Sequence, residues 1–269
     1  MRRFLLILLA LPLALLAWSV GLARSDPVVR RATVALPGWP DGATPVRVAL
    51  LSDVHIGNFA TGPERLRRIV GQVNALRPDL VVLAGDFIAG HERRDAEAAP
   101  GLAELGRLRA PLGVVAVLGN HEYWTDPRAV RRVLERAGVT MLDNTATRRG
   151  PLAVGGLGDV VTRHADLPAT LRAMERVGGA RLLVSHSPDI APALPTGVPL
   201  LLAGHTHCGQ VSLPFVGAPA EVSRYGARYR CGLVREGGRL TVVTAGTGTS
   251  VLPVRFGVRP DLWVLTVGP

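Results

Sequence analysis

Five short blocks of carboxylate, imidazole and amide side chains are spread through this chain of 269 residues. In order they are Ser52-Asp53-Val54-His55, Gly85-Asp86, Gly119-Asn120-His121-Glu122, Ser185-His186 and Gly204-His205-Thr206-His207. Imidazoles and carboxylates are ligands for divalent cations, and this mixture suits Mn, Zn, Fe or Ni without selecting among them. Two such cations held close together lower the pKa of water and neutralise charge on phosphoryl oxygens, so the chemistry to expect is hydrolysis of phosphate esters. No block is decisive alone, because an Asp after a buried strand is often a helix cap and a lone His is more often a core or surface residue. Their order and their shared placement carry the reading.

That placement is at the ends of apolar runs: Val46 to Leu51, Leu80 to Ala84, Val114 to Leu118, Leu182 to Val184 and Leu200 to Ala203. Asp53, Asp86 and Asn120 recur at intervals of 33 and 34 residues, the length of a βαβ unit whose parallel strands end on one side of a sheet. Active residues gather at the carboxyl ends of such strands. Side chains two apart on a strand share a face, which would align Asp53 with His55 and His205 with His207. Between the runs lie amphipathic stretches. Pro63 opens a predicted helix to about Arg77, another spans Ala96 to Leu108, and Asp126-Pro127 is a cap followed by proline at the first helical position. After Pro151 the pattern shifts to strands at Leu152–Leu157, Arg181–Val184, Pro199–Ala203, Leu240–Ala245 and Leu262–Val267, interrupted by one helix near Pro168 to Val177.

The N-terminus has a different composition. Phe4 to Ala23 carries no charge and follows Arg2-Arg3, and about 20 apolar residues suffice to cross a bilayer as a helix. Residues 1–23 therefore read as a membrane anchor or as a cleaved signal segment. Residues 24–44 read as a linker with an edge strand, and residues 45–269 as one catalytic domain. Hydrophobic content of 48% excludes a disordered chain. The formal charge is +10, and every basic residue is Arg. This balance favours anionic partners, but the arginines are scattered, which argues against nucleic acid. No protein partner is evident. Two cysteines, Cys208 and Cys231, make no disulfide framework and leave the redox compartment open.

With those residues in place the chain resembles the calcineurin-like metallophosphoesterases. It is most similar to their membrane-associated bacterial branch, which includes proteins like the UDP-2,3-diacylglucosamine pyrophosphatases. The family pattern D-x-H, G-D, G-N-H-[DE], H and G-H-x-H stands here complete, and the likeness extends from Val46 to Val267. It implies an α/β fold, a four-layer αββα sandwich of two sheets with helices outside. It also implies a site for two divalent metal ions, with Asp53, His55 and His207 on one, Asn120, His186 and His205 on the other, and Asp86 bridging. His121 is then a catalytic group rather than a ligand, oriented by Asp86 and assisting the leaving group. The expected activity is phosphohydrolysis of a phosphorylated small-molecule or lipid-linked substrate, placed at the inner membrane by the N-terminal segment, or exported if that segment is cleaved. A nucleotide phosphodiesterase or nuclease on soluble substrates is the alternative, and a non-catalytic interaction protein on the same fold is a third reading. Cys208 and Asp261 depart from the family pattern. Cys208 reads as a small filler beside the site, or else as a sulfur ligand.

Five further features stay open at this level. His91 and His164 read as solvent-exposed loop residues. Tyr123 and Trp124 either wall the pocket or pack beneath it. The segment Leu213 to Arg230 is either a hairpin in water or a loop that meets lipid headgroups or substrate, and Arg255 either reaches a phosphate or makes an ion pair.

Overall fold

The computed structural model of the chain describes residues 2–269, with side chains from residue 10 onward. Among these residues the strands form two six-stranded sheets. The first runs in the order β1 (Val28–Ala35), β12 (Asp261–Gly268), β2 (Val46–Leu51), β3 (Leu80–Ala84), β4 (Val114–Val117) and β5 (Thr140–Met141). The second runs β10 (Gly232–Glu236), β11 (Arg239–Val243), β9 (Leu200–Ala203), β8 (Ala180–Val184), β7 (Leu152–Gly156) and β6 (Thr145–Arg149). Strands β2 to β5 are parallel, as are β7, β8, β9 and β11. Strands such as Leu80–Ala84, buried at every residue, read as unbroken apolar runs because parallel sheets are covered on both faces.

Three apolar clusters set the layers. Leu50, Val82 and Val117 of the first sheet meet Val154, Val184 and Leu202 of the second in a core between the sheets. On the outer face of the first sheet, Val81 and Leu83 pack with Leu66, Ile69 and Val73 of α2 (Pro63–Ala75). Leu102 and Leu105 of a 3₁₀ segment, Arg93–Arg107, and Val130 and Leu134 of α4 (Pro127–Arg136), which follows the short α3 (Asn120–Trp124), complete that layer. On the outer face of the second sheet, Leu183 and Leu201 pack with Met174 of α5 (Leu167–Val177) and with Ala191. The helix starts follow the sequence: Pro63 opens α2, and the Asp126 side chain accepts the Ala129 N–H at 2.9 Å to cap α4. The stretch expected as an α-helix from Ala96 to Leu108 is instead wound as 3₁₀ turns. Pro100 lies inside it, lacking an N–H and clashing with the preceding α turn.

Helix α1 (Arg2–Arg24) stands apart from this core. Residues 10–18 are exposed on every side, and Ser19 is the first buried residue among those of the helix whose side chains are described. Among the described residues no helix is long and apolar enough to cross a membrane. The predicted anchor spans residues 1–23, and the side chains of its first part lie outside the described residues.

Candidate dinuclear metal site

The turns that follow β2, β3, β4, β8 and β9 converge where the two sheets meet. Asp53, His55 and His207 bring one ligand atom each to within 4.8 Å of one another. Asp86, His186 and His205 form a second such group, their ligand atoms also within 4.8 Å of one another. Asp86 lies between them, its Oδ2 3.6 Å from His55 Nε2 and 3.2 Å from His186 Nε2. Asn120 joins the second group through Oδ1, 3.1 Å from His186 Nε2. In the first group, His55 Nε2 and His207 Nε2 are 3.1 Å apart and His207 Nε2 is 3.3 Å from Asp53 Oδ1. All seven side chains are buried.

The backbone pays out unusual conformations to achieve this. Asp53, His55, Asp86, His205 and His207 all have positive φ, between 48° and 70°. Left-handed backbone is uncommon outside glycine and clusters at functional sites. This corrects the reason expected for the Asp53/His55 and His205/His207 pairing. The strands end at Leu51 and Ala203, and left-handed turns, rather than the pleat of a strand, aim both members of each pair inward. The turns also tie to one another. Asp53 N–H donates to Gly85 O at 2.9 Å and His55 N–H to Asp86 O at 3.1 Å, while His205 N–H donates to Asp53 Oδ2 at 3.1 Å. Close approach fixes Gly119, where an added Cβ would sit 2.3 Å from Asp86 Oδ1.

Glu122 is the residue whose role the sequence reading missed, although it closes the Gly119-Asn120-His121-Glu122 block. Fully buried, it accepts N–H groups from Asp86 at 3.0 Å, Phe87 at 2.8 Å, Ile88 at 3.2 Å and Gly119 at 2.8 Å. One carboxylate thus locks the Asp86 turn to the Asn120 turn. Burial, followed by the Asp86 charge, pushes its carboxyl up to about 8 while backbone N–H donors pull the other way. With both oxygens ringed by N–H donors, a carboxylic hydrogen would face another hydrogen, so the carboxylate is the form that fits.

Neighbours set the tautomers. His186 Nδ1 donates to Ala84 O at 2.7 Å and His121 Nδ1 to Gly90 O at 2.7 Å, leaving each Nε2 to face the site. For His121 this revises the expected orienting group. Asp86 takes the His121 backbone N–H at 3.0 Å, but the Gly90 carbonyl orients the ring, and Nε2 stops 3.8 Å from Asp86 Oδ2. Burial holds the imidazoles of His55 and His205 down to about 3 and about 4, and holds that of His207 well below its usual range. Burial also pulls His186 down, but the Asp86 and Asp53 charges outweigh it and push it up to about 10. Burial raises Asp53 to about 7, whereas around Asp86 the imidazoles, His186 first, overcome burial and hold the carboxyl well below its usual value.

The donor set fits divalent cations. Metal ligation needs neutral imidazole and ionised carboxylate, and three of the four histidines are held neutral by burial. His55 Nε2, His207 Nε2 and Asp53 Oδ1 converge, with the two ring nitrogens 3.1 Å apart and His207 Nε2 3.3 Å from the carboxylate, the kind of donor cluster a divalent cation fills.

The remaining open features resolve as follows. Cys208 is neither a free filler nor a sulfur ligand, because it is disulfide-bonded to Cys231. A separation of 23 residues gave the sequence reading no signal, and the turn at His207 is what brings the pair together. Arg255 neither reaches the cleft nor makes an ion pair. It is fully buried and donates to the carbonyls of Ala245 at 2.6 Å and Gly248 at 2.7 Å, and burial lowers it to about 10. Tyr123 packs inward and stacks on the exposed His164 at 3.8 Å, while Trp124 walls the cleft. His91 is exposed as expected, yet its ring lies 4.8 Å from that of His121 at the lip of the site. The cleft above the cluster measures about 530 Å³, and its walls beyond the polar residues are apolar: Trp124, Val211, Val222, Leu252 and Val254. Asp261, the other departure from the family pattern, is buried and accepts from Thr244 Oγ1, from the Ala245 N–H and from Arg30 of β1, which fixes the loop behind the site.

Two facing sheets with an Asp/His double cluster at their shared edge define a dinuclear metallohydrolase. Residues 46–209 match the calcineurin-like phosphoesterase family, and the chain belongs to it. It is 31% identical to the uncharacterized metallophosphoesterase YkuE of Bacillus subtilis over 236 residues, covering 85% of this chain and 81% of that one. It is 29% identical to a transmembrane protein with metallophosphoesterase domain from Danio rerio, covering 89% of this chain and 57% of that longer one. A solved dimetal phosphatase from Danio rerio is 15% identical with a TM-score of 0.49, over 82% of this chain and 99% of that one. The chain is a metal-dependent phosphoesterase whose cofactors are two divalent metal ions.

Proposed function

We propose that this enzyme hydrolyses a phosphate ester or pyrophosphate bond in an amphiphilic, membrane-borne substrate. Asp53, His55 and His207 would hold one ion, Asn120, His186 and His205 would hold the other, and Asp86 would serve both. The observation that carries this assignment is the position of Asp86 Oδ2, within 3.6 Å of an imidazole nitrogen of each group. Two divalent ions bound there supply Lewis-acid stabilisation of phosphoryl oxygens and an acidified water. The protein's own groups do the rest. His121, fixed through Nδ1 by Gly90, turns Nε2 toward the cleft, where the ring, once protonated at both nitrogens, can give the Nε2 proton to the departing oxygen; burial disfavours that imidazolium while the Asp86 charge and the Gly90 carbonyl favour it. Trp124, Leu252 and Val254 supply a dry wall for an apolar leaving group.

Residues 1–23 act as a membrane anchor or signal segment. Two observations support that part. The uncharged run from Phe4 to Ala23 enters a helix exposed on all faces from residue 10 to residue 18. The Cys208–Cys231 disulfide belongs in an oxidising compartment, outside the reducing cytosol.

The test combines metal analysis of the purified full chain with turnover of bis-p-nitrophenyl phosphate, a phospholipid and a nucleotide-linked lipid in detergent, with Asp86→Ala as the control. Two metals per chain, turnover of the lipid-linked probes and loss of both in Asp86→Ala are expected. Turnover confined to soluble diesters would overturn the choice of substrate, and a chain that binds no metal would overturn the site.

A further inference from the structure

Large apolar side chains stand exposed on three loops around the mouth of the cleft. They are Phe59, 68% exposed, then Phe215 and Val216, and then Val251 and Leu252, the valine 82% exposed. These loops come from distant parts of the sequence but are bonded into one rim. Asn58 Nδ2 donates to Thr249 O at 2.7 Å, joining the first loop to the third. Gln210 Nε2 donates to Ser250 O at 3.0 Å and to Leu252 O at 3.1 Å, joining the third to the Leu213–Gly217 hairpin that carries Phe215. Phe215 and Val251 also have positive φ, at 66° and 59°, so backbone of an uncommon kind holds two apolar side chains out in water. Large apolar side chains held out in water on loops bonded to one another point to an interaction site rather than ordinary surface.

Helix α1 indicates the partner. It is apolar on all faces, and residues 10–18 are exposed all round. Such a helix is suited to lipid, since its polar backbone groups are satisfied internally. Its last turns are fixed to the same rim: Arg255 N–H donates to Ser19 O at 3.0 Å, and Ser212 N–H donates to Phe256 O, next in sequence, at 2.7 Å. Arg24 lies over the Phe59 ring at 4.9 Å, and Trp18 lines a hollow with Arg259. Basic and Trp side chains at the junction of an apolar helix and a domain are placed as at the level of anionic headgroups.

We propose that Phe59, Phe215, Val216, Val251 and Leu252 form a second membrane contact, which seats the mouth of the cleft on the same bilayer that receives α1. The proposal rests on the membrane placement of α1 given above and adds an orientation to it. The cleft then opens at the headgroup plane, and a lipid-linked phosphate reaches the site without leaving the bilayer.

The full chain is reconstituted in vesicles of phosphatidylcholine and phosphatidylglycerol, with and without brominated acyl chains. Tryptophan is introduced as Phe59→Trp or Phe215→Trp at the rim, and as Arg148→Trp at the opposite end of the second sheet. Emission of each added tryptophan is read as the difference from the parent chain. Rim emission is expected to fall about twofold or more in brominated vesicles, as for an apolar group sunk to the acyl boundary, with the Arg148→Trp signal unchanged. A chain that stays in the vesicles through a carbonate wash but whose rim tryptophans behave like the control would overturn the rim contact and leave the α1 reading standing. A chain washed off the vesicles sinks both. Rim tryptophans shielded from acrylamide yet untouched by bromine, with a doubled particle mass, would assign the rim to a second copy of the chain and refute the bilayer contact.

Discussion

Glu122→Gln is the substitution that separates construction of the site from its chemistry. The change keeps the shape of the side chain and removes one accepting oxygen. In the native chain Oε1 takes the N–H groups of Phe87 and Ile88, and Oε2 takes those of Asp86 and Gly119. Whichever way the amide turns, its NH₂ faces two buried N–H donors that had shared a carboxylate oxygen. Leaving a buried donor unsatisfied costs about 1–3 kcal/mol, so two such donors predict a loss of about 2–6 kcal/mol. Because those donors belong to the turns carrying Asp86 and Asn120, the cost falls on the geometry of both metal groups. The measurement is urea unfolding of the metal-loaded chain alongside metal content by elemental analysis. A lower unfolding midpoint and weakened retention of both ions are expected. If Glu122→Gln unfolds within about 0.5 kcal/mol of the parent, the range of a neutral surface change, and keeps both metals, the carboxylate is not what joins the two turns.

Three further outcomes follow from the site. His121→Ala is expected to lower turnover of bis-p-nitrophenyl phosphate by about 10²-fold or more, the size of a general acid–base contribution, with metal content unchanged; loss of the metals as well would make His121 a ligand. Reducing the disulfide, or Cys208→Ser with Cys231→Ser, is expected to cost about 3 kcal/mol by the loop-entropy relation, read as a lower melting temperature in reductant; equal melting with and without reductant would show that the bond contributes nothing to the fold. Loading metal near pH 7 is expected to release protons. His186, pushed up to about 10, carries one that ligation must displace, and Asp53, raised to about 7, carries part of another, whereas His55 and His205, held down to about 3 and about 4, carry none. Affinity therefore rises with pH across the neutral range and falls as the pH drops. Calorimetry in buffers of different ionisation enthalpy counts the protons, more than one per chain being expected, and a count below one would refute a protonated His186.

The ligand residues were legible because their types are few and each follows a buried run, Leu80–Ala84 before Asp86 being the clearest. Hydrophobic periodicity likewise gave the strands after Pro151 and the capped start of α4, since both depend on neighbours in sequence. What escaped depends on pairs distant in sequence. Glu122 looks like any acidic residue in the first turn of a helix, and its function lies in N–H groups about 35 residues earlier. Cys208 and Cys231 have a spacing without meaning until the left-handed turn at His207 and Cys208 folds one toward the other. Arg255 reads as a phosphate contact or half of an ion pair and serves as a buried brace for carbonyls.

The same contrast explains the left-handed backbone. Side chains on a strand alternate between the two faces, so a ligand pair such as Asp53 and His55 or His205 and His207 is gathered beyond the strand end by a chain that turns back as it leaves β2 or β9. Glycine makes such turns at little cost, but glycine cannot hold a metal. The sequence places five of the seven ligands, Asp53, His55, Asp86, His205 and His207, at positive φ and sets Gly85, Gly119 and Gly204 beside them, where the turns crowd closely. Ligation by the side chain and curvature of the backbone are demanded of one residue, and Asp, Asn and His are the non-glycine types that tolerate such backbone most readily. The residue types of the cluster thus answer to the turn as well as to the ion.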